Sequence, residues 1–123
     1  MMTALVIEDH PDNMILIYDI LGLNGYAVLQ ATTGMQGYEV AQQSQPHFIV
    51  LDIQLPDIDG YQVLEKIRSN DRTRKIPMVA MTSYAMAGEK TKLLNAGCDG
   101  YVEQPIDPGR VMQQILHAIG DQA

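Results

Sequence analysis

Cysteine is almost missing from this 123-residue chain: Cys98 stands alone, which excludes an internal disulfide and any cysteine-built zinc cage. As a small residue just ahead of a strand, it reads as core filler and carries no redox signal. Bases are scarce as well, 8 Lys and Arg against 15 Asp and Glu, and a formal net charge of −7 argues against a nonspecific grip on nucleic acid. Protein partners are expected instead. The few bases gather in KIRSNDRTRK (66–75) and at Lys90 and Lys92, the pattern of a solvated helix end and loop. No apolar run approaches the roughly 18 residues of a membrane span. The start, MMTALVIED, lacks the basic region, long apolar stretch and cleavage site of a leader. A cytoplasmic protein that engages neither membrane nor nucleic acid is the expectation. Linkers, repeats and low-complexity segments are missing too, so 1–123 is expected to form one domain, with no DNA-binding segment after Ala123. Apolar residues are what the chain has in quantity, and 46% is enough to bury a core without a disulfide or structural metal.

Short β-branched runs alternate with longer amphipathic ones, the pattern of a parallel sheet covered by helices on both faces. The expected strands are ALVIE (4–8), AVLQA (27–31), FIVLD (48–52), MVAMT (78–82) and GYVE (100–103). Between them, DNMILIYDILGLNG closes on Gly25, and Thr33 with Gln36 opens a helix through Gln43 as a capping box. Asp59 caps GYQVLEKIRS, Gly97 ends AMAGEKTKLLNAG, and Asp107 before Pro108 predicts a cap with proline at the first helical position. Five βα units in this length imply a flavodoxin-like (βα)5 fold, a doubly wound parallel sheet in the order 2-1-3-4-5. Its ligand crevice opens at the carboxyl ends of strands 1 and 3, where the order reverses.

Strand 1 ends in Glu8 and Asp9 and strand 3 in Asp52, so three carboxylates converge on that crevice. Two unit charges ~4 Å apart repel by roughly 1–4 kcal/mol at water-like to surface-like dielectric, so the cluster needs a cation or a raised pKa. Mg2+ is the simpler remedy, a hard cation that prefers oxygen, keeps several waters and takes one or two carboxylates. Asp9 and Asp52 are the candidates for direct ligation, Glu8 for ligation through water, and Gln54 for a main-chain carbonyl where the chain leaves strand 3. An aspartate beside bound magnesium can act as a nucleophile toward phosphorus. The resulting acyl phosphate would need hydroxyls, backbone N–H groups and a cation around it. Thr82, ending strand 4, offers a hydroxyl, and small Ser83 leaves room for its backbone N–H to approach.

Four stretches then resemble a known family: VIED (6–9), IVLDIQLPDIDGYQVLEKIR (49–68), PMVAMTSYAM (77–86) and AGCDGYVEQPID (96–107). Over nearly its whole length the chain resembles a response-regulator receiver domain of two-component phosphorelays, most similar to small stand-alone cell-cycle types and to hybrid-kinase receivers. The second stretch is the specific one, with an aspartate ending an apolar strand, proline four residues later, and DG opening a helix. The resemblance implies Asp52 as phosphoacceptor, Glu8 and Asp9 as the acidic pair, Thr82 as the phosphoryl-sensing hydroxyl and Tyr101 as the rotamer-switching aromatic. It implies a histidine kinase or phosphotransfer histidine as donor and a downstream output protein as reader. Signalling would run through the face formed by the fourth helix, fifth strand and fifth helix, with a monomer or a weak dimer through that face. It also implies a signalling domain, not an enzyme, whose slow loss of phosphate to water is tuned by Gln54 and Tyr84.

The departure from the family pattern is Gln104, where a lysine usually precedes the proline after strand 5. Glutamine keeps a donor but loses the charge, and charge-assisted hydrogen bonds are about twice as strong as neutral ones. Weakened switching is the expectation. A base such as Lys90 or Arg110 swinging in is one alternative, and a pseudo-receiver that binds partners regardless of phosphate is another. A calcium loop around DIDG fails because Leu55 and Lys66 would fill positions that require acids. A haloacid-dehalogenase-type hydrolase fails on Gln54, where that family has a second aspartate. His10, His47 and His117 do not cluster at metal-ligand spacing. Tyr84, Met86, Tyr101 and Met112 are expected to line the strand-4 to helix-5 side, as core or as an adaptable partner surface.

Overall fold

Five strands, β1 (Thr3–Ile7), β2 (Ala27–Ala31), β3 (Phe48–Asp52), β4 (Met78–Thr82) and β5 (Gly100–Glu103), pair in parallel in the computed structural model, which describes residues 2–83 and 87–120. Their order, β2-β1-β3-β4-β5, is the one expected from the sequence. The connecting helices are α1 (Pro11–Leu23), α2 (Gly34–Ser44), α3 (Gly60–Ser69) and α4 (Ala87–Asn95), and α5 (Val111–Ile119) closes the fold. The four later strands occupy the expected residues. β1 runs one residue earlier than ALVIE, because the Ala27 N–H bonds back to the Met2 carbonyl at 2.9 Å and the ladder ends where Ile7 meets Ala31.

Side chains alternate across the sheet, so each strand feeds two cores. Leu5, Ile7, Ile49, Leu51 and Ala80 face Ala41 of α2, Val63, Leu64 and Ile67 of α3, and Leu93 of α4. Ala4, Val6, Val50, Val79, Met81 and Val102 face Met14, Ile17 and Leu21 of α1 with Val111 and Ile115 of α5. Every residue of β3 and β4 is buried, which is why those segments read as continuous apolar runs. This two-sided burial separates Tyr101 from Met112: the former packs on the α2–α4 side, the latter on the α1–α5 side. They do not form the single lining set expected, and Tyr84 and Met86 lie outside the described residues. Among those residues no helix is long and apolar enough to cross a membrane.

Most helix ends follow their local chemistry. Asp59 and Gln62 form a full capping box on α3, and Thr33 Oγ accepts the Gln36 N–H at 3.1 Å on α2. The Gln36 side chain, however, accepts from Thr32 and not from Thr33. Gly97, at φ 112°, lets Cys98 N–H reach back to the Leu93 carbonyl and ends α4. The expected start of α5 is corrected. Asp107 Oδ1 accepts the Gly109 N–H at 3.0 Å and so folds 107–110 into a turn, and the helix begins only at Val111.

Far from the crevice, Arg68 pins the opposite end of the sheet. Its guanidinium donates to the carbonyls of Gly97, Arg74 and Ile76 and to Asp99 Oδ2, all at 2.7–3.0 Å. Asp99 in turn accepts the Met78 N–H at 2.8 Å. A planar fork of donors suits this arrangement, and a single ammonium cannot reproduce it.

Candidate functional site

Register assembles the acid cluster. Ile7 pairs with Leu51, so the next residues, Glu8 and Asp52, leave neighbouring strands side by side. Asp9 follows on the loop into α1. One carboxylate oxygen from each of Glu8, Asp9 and Asp52 lies within 4.8 Å of the others. Asp9 is exposed, while Glu8 is fully buried and Asp52 is 7% exposed. A cleft of 610 Å3 opens above them, lined by Asp9, His10, Asn13, Asp52, Gln54, Ser83, Gln104 and Pro105.

The electrostatics of the cluster are those of acids short of a cation. Burial, followed by the hydrogen bond and charge of Glu8, pushes the Asp52 carboxyl from the ordinary 3.8 to about 8. The Gln54 N–H, which donates to Asp52 Oδ1 at 3.0 Å, pulls the other way. Glu8 Oε2 accepts the His10 N–H at 3.3 Å, but its buried Oε1 meets no hydrogen-bond donor among the described residues. An orphaned buried carboxylate oxygen beside two further acids is the donor set of a hard divalent cation. Glu8, Asp9 and Asp52 therefore fit magnesium in charge and ligand type.

The residues expected to sense a phosphoryl group occupy different depths. Ser83 lines the cleft, and its hydroxyl donates to Gln104 Oε1 at 2.9 Å. Thr82 is buried at the end of β4, where its carbonyl accepts the Gln104 N–H at 2.8 Å. Tyr101 sits half-buried in β5 on a separate groove with Leu94 and His117. Tyr84 lies outside the described residues.

No lysine or arginine lines the cleft among the described residues. Lys90 is engaged elsewhere, 3.7 Å from Glu103 Oε1 and 5.0 Å from the Tyr101 ring centroid. Arg110 lines a different hollow with Asp107 and Gln114. In this conformation neither base supplies the charge that Gln104 lacks.

Three features escaped the sequence reading. Asn13 lines the cleft from the first turn of α1. Asp57, in the loop after Asp52, accepts the N–H groups of Gly34 and Met35 at the start of α2. Tyr61 of α3 donates its hydroxyl to Glu89 of α4, with Lys92 4.3 Å above its ring. The last two are contacts between elements distant in sequence, so local patterning gave no signal for them.

A doubly wound α/β domain with paired acids and an aspartate at its switch point is the architecture of a phosphorelay receiver. A family profile described as response regulator receiver domain matches residues 4–116, and the chain belongs to that family of two-component signalling modules. Among curated relatives, the polar-differentiation response regulator DivK of Brucella anthropi is 31% identical over 119 residues, 97% of each chain. The receiver domain of sensor histidine kinase PA1611 from Pseudomonas aeruginosa is 29% identical, with 98% of both chains covered and a TM-score of 0.87. That crystal structure has a magnesium ion coordinated in its active-site cleft. The chemotaxis response regulator CheY4 of Vibrio cholerae shares the fold at 19% identity, with a TM-score of 0.91 over 96% of this chain and 98% of that one.

Proposed function

We propose that this domain accepts a phosphoryl group on Asp52 from the phosphohistidine of a histidine kinase or phosphotransfer protein, in a Mg2+-dependent reaction, and passes the signal on through protein contacts. The observation that carries this reading is the convergence of Glu8, Asp9 and Asp52, with oxygens within 4.8 Å, beneath an open cleft. The side chains of these three acids and the Gln54 main-chain carbonyl would hold magnesium, which when bound supplies the positive charge that lets a carboxylate meet a phosphoryl group. Magnesium in the cleft of the PA1611 receiver supports the assignment.

In the transfer, an Asp52 oxygen forms a bond to phosphorus while the phosphorus–nitrogen bond to the donor imidazole breaks. The imidazole leaves with that electron pair. Gln54 N–H, already on Asp52 Oδ1, orients the carboxylate. The Ser83 backbone N–H and the hydroxyls of Thr82 and Ser83 are assigned to the product as neutral donors. Tyr101 is assigned as the switching aromatic on the α4-β5-α5 face, and that face as the contact for output proteins or a weak dimer. Gln54 and Tyr84 are assigned to tuning the loss of phosphate to water. The whole chain 1–123 acts as one soluble, cytoplasmic domain in this reading.

Gln104 favours a qualification. Its side-chain oxygen is taken by Ser83, it carries no charge, and no lysine or arginine lines the cleft among the described residues. The phosphorylated state therefore gains less than a lysine would give it, and switching is weakened. The same observation supports a second reading, a pseudo-receiver that binds its partner regardless of phosphate. Incubation with acetyl phosphate and Mg2+, read by intact mass, separates the two: one phosphoryl adduct, lost in Asp52→Asn and on chelation, is expected. No adduct under any condition would leave the pseudo-receiver.

A further inference from the structure

Asp57 stands in the loop 53–59 that leaves β3, five residues beyond the acid that this site turns on. Its two carboxylate oxygens are both used across the mouth of the fold: Oδ1 accepts the Gly34 N–H at 2.8 Å and Oδ2 the Met35 N–H at 3.0 Å. Those are the first two helical amides of α2, groups that have no partner within the helix. The helix already has its own cap, Thr33, on the third amide. Asp57 therefore serves the two amides that Thr33 leaves unmet, and it does so from a different loop, the one that leaves β3.

Its bonds close a circuit around the acid cluster. Glu8 N–H donates to the Ala31 carbonyl at 2.9 Å, which ties the end of β1 to the turn that leads into Gly34. Gly34 is bound to Asp57, and three residues back Gln54 N–H donates to Asp52 Oδ1 at 3.0 Å. At the base of the loop, Gly60 N–H meets the Ile53 carbonyl at 2.8 Å. Leu55 and Ile58 also hold the loop against the core, but apolar contact is non-directional and leaves the loop free to slide along α2. Two charge-assisted, directional bonds remove that freedom. The approach is close: a Cβ on Gly34 would fall 2.6 Å from Ile58 Cγ1, so only glycine lets the loop seat there. Both amides hold the Asp57 carboxyl below its ordinary pKa, so it stays charged in this role.

We infer that Asp57 is a positioning residue, which clamps the loop after Asp52 onto the N-terminus of α2 and so fixes the Gln54 amide and carbonyl for cation binding and phosphoryl acceptance. This rests on the function proposed above. Preorganised geometry of this kind shows in the affinity for the group being bound, ahead of the rate once it is bound.

The test compares wild type, Asp57→Ala, Asp57→Asn and Arg68→Lys. The last is a destabilising control at the far end of the sheet. The Mg2+ concentration giving half-maximal phosphorylation by acetyl phosphate is expected to rise about fivefold in Asp57→Ala, and the rate at saturating Mg2+ to change far less. Asp57→Asn, which keeps one acceptor oxygen, should fall between, and Arg68→Lys should leave the midpoint in place. In parallel, amide hydrogen exchange at Gln54, Gly34 and Met35 should quicken in Asp57→Ala. An unchanged midpoint, or one shifted equally by Arg68→Lys, overturns the inference. If wild type takes no phosphoryl group, the proposed function fails, and Gln54 exchange alone judges the clamp: faster in Asp57→Ala upholds it, unchanged rejects it.

Discussion

In the metal-free protein, Asp52 should make stability fall as pH rises through the neutral range. The carboxyl is 7% exposed and sits against Glu8, so its pKa is about 8 in the fold against 3.8 unperturbed. Below about pH 4 both folded and unfolded chains hold the proton and no difference arises. Between about 4 and about 8 the unfolded chain releases it while the folded chain keeps it, so unfolding is favoured progressively; above about 8 the loss is complete. Each pKa unit corresponds to about 1.4 kcal/mol, which puts the total on the order of 3–6 kcal/mol. Against a typical stability of about 5–15 kcal/mol this is large. Asp52→Asn removes the titration, so it should match wild type near pH 4 and exceed it by several kcal/mol above about pH 8. Urea denaturation followed by far-UV circular dichroism, in chelator and across that pH range, measures the difference. Added Mg2+ should raise wild type at alkaline pH far more than Asp52→Asn. A stability difference between the two proteins that stays flat with pH in chelator would refute the reasoning.

Other perturbations test separate parts of the account. Gln104→Lys should enlarge the change in Tyr101 ring resonances produced by Mg2+ and beryllofluoride, and equal responses in both proteins would reject the role given to the missing charge. Arg68→Lys should cost roughly 2–4 kcal/mol in urea, because its charged hydrogen bonds to three carbonyls and Asp99 cannot all be remade; a loss below about 0.5 kcal/mol would contradict the pin. Burial and the Glu89 carboxylate hold the Tyr61 phenol well above the usual 10, so an alkaline absorbance titration should show a late-ionising tyrosine that Tyr61→Phe removes. Persistence of that late step in the variant would assign it elsewhere.

The sequence carried the fold unusually far because two-sided burial writes itself as apolar runs. FIVLD and MVAMT are buried at every position, and each ends where the first polar side chain reaches the crevice. The acid cluster was legible for the same reason, since strand-end residues at a known switch point need no tertiary detail to be placed together. Where local chemistry had competitors, the reading slipped. Asp107 was read as a helix cap, but its side chain turns onto Gly109 and delays α5 to Val111. Tyr101 and Met112 were grouped by neighbourhood, and the sheet runs between them. Asp57 was invisible because its partners lie 22 and 23 residues upstream, on a helix whose own cap was already satisfied.

Chemical mapping of the phosphorylated residue tests the central claim most directly. An acyl phosphate on a carboxylate is cleaved by borohydride, which reduces aspartyl phosphate to homoserine at the modified position. After treatment with acetyl phosphate and Mg2+, peptide mass spectrometry should find homoserine at position 52 and at no other acid, with none formed in chelator. Homoserine at Asp9 or elsewhere with Asp52 intact, or label that is indifferent to Mg2+, would contradict the account.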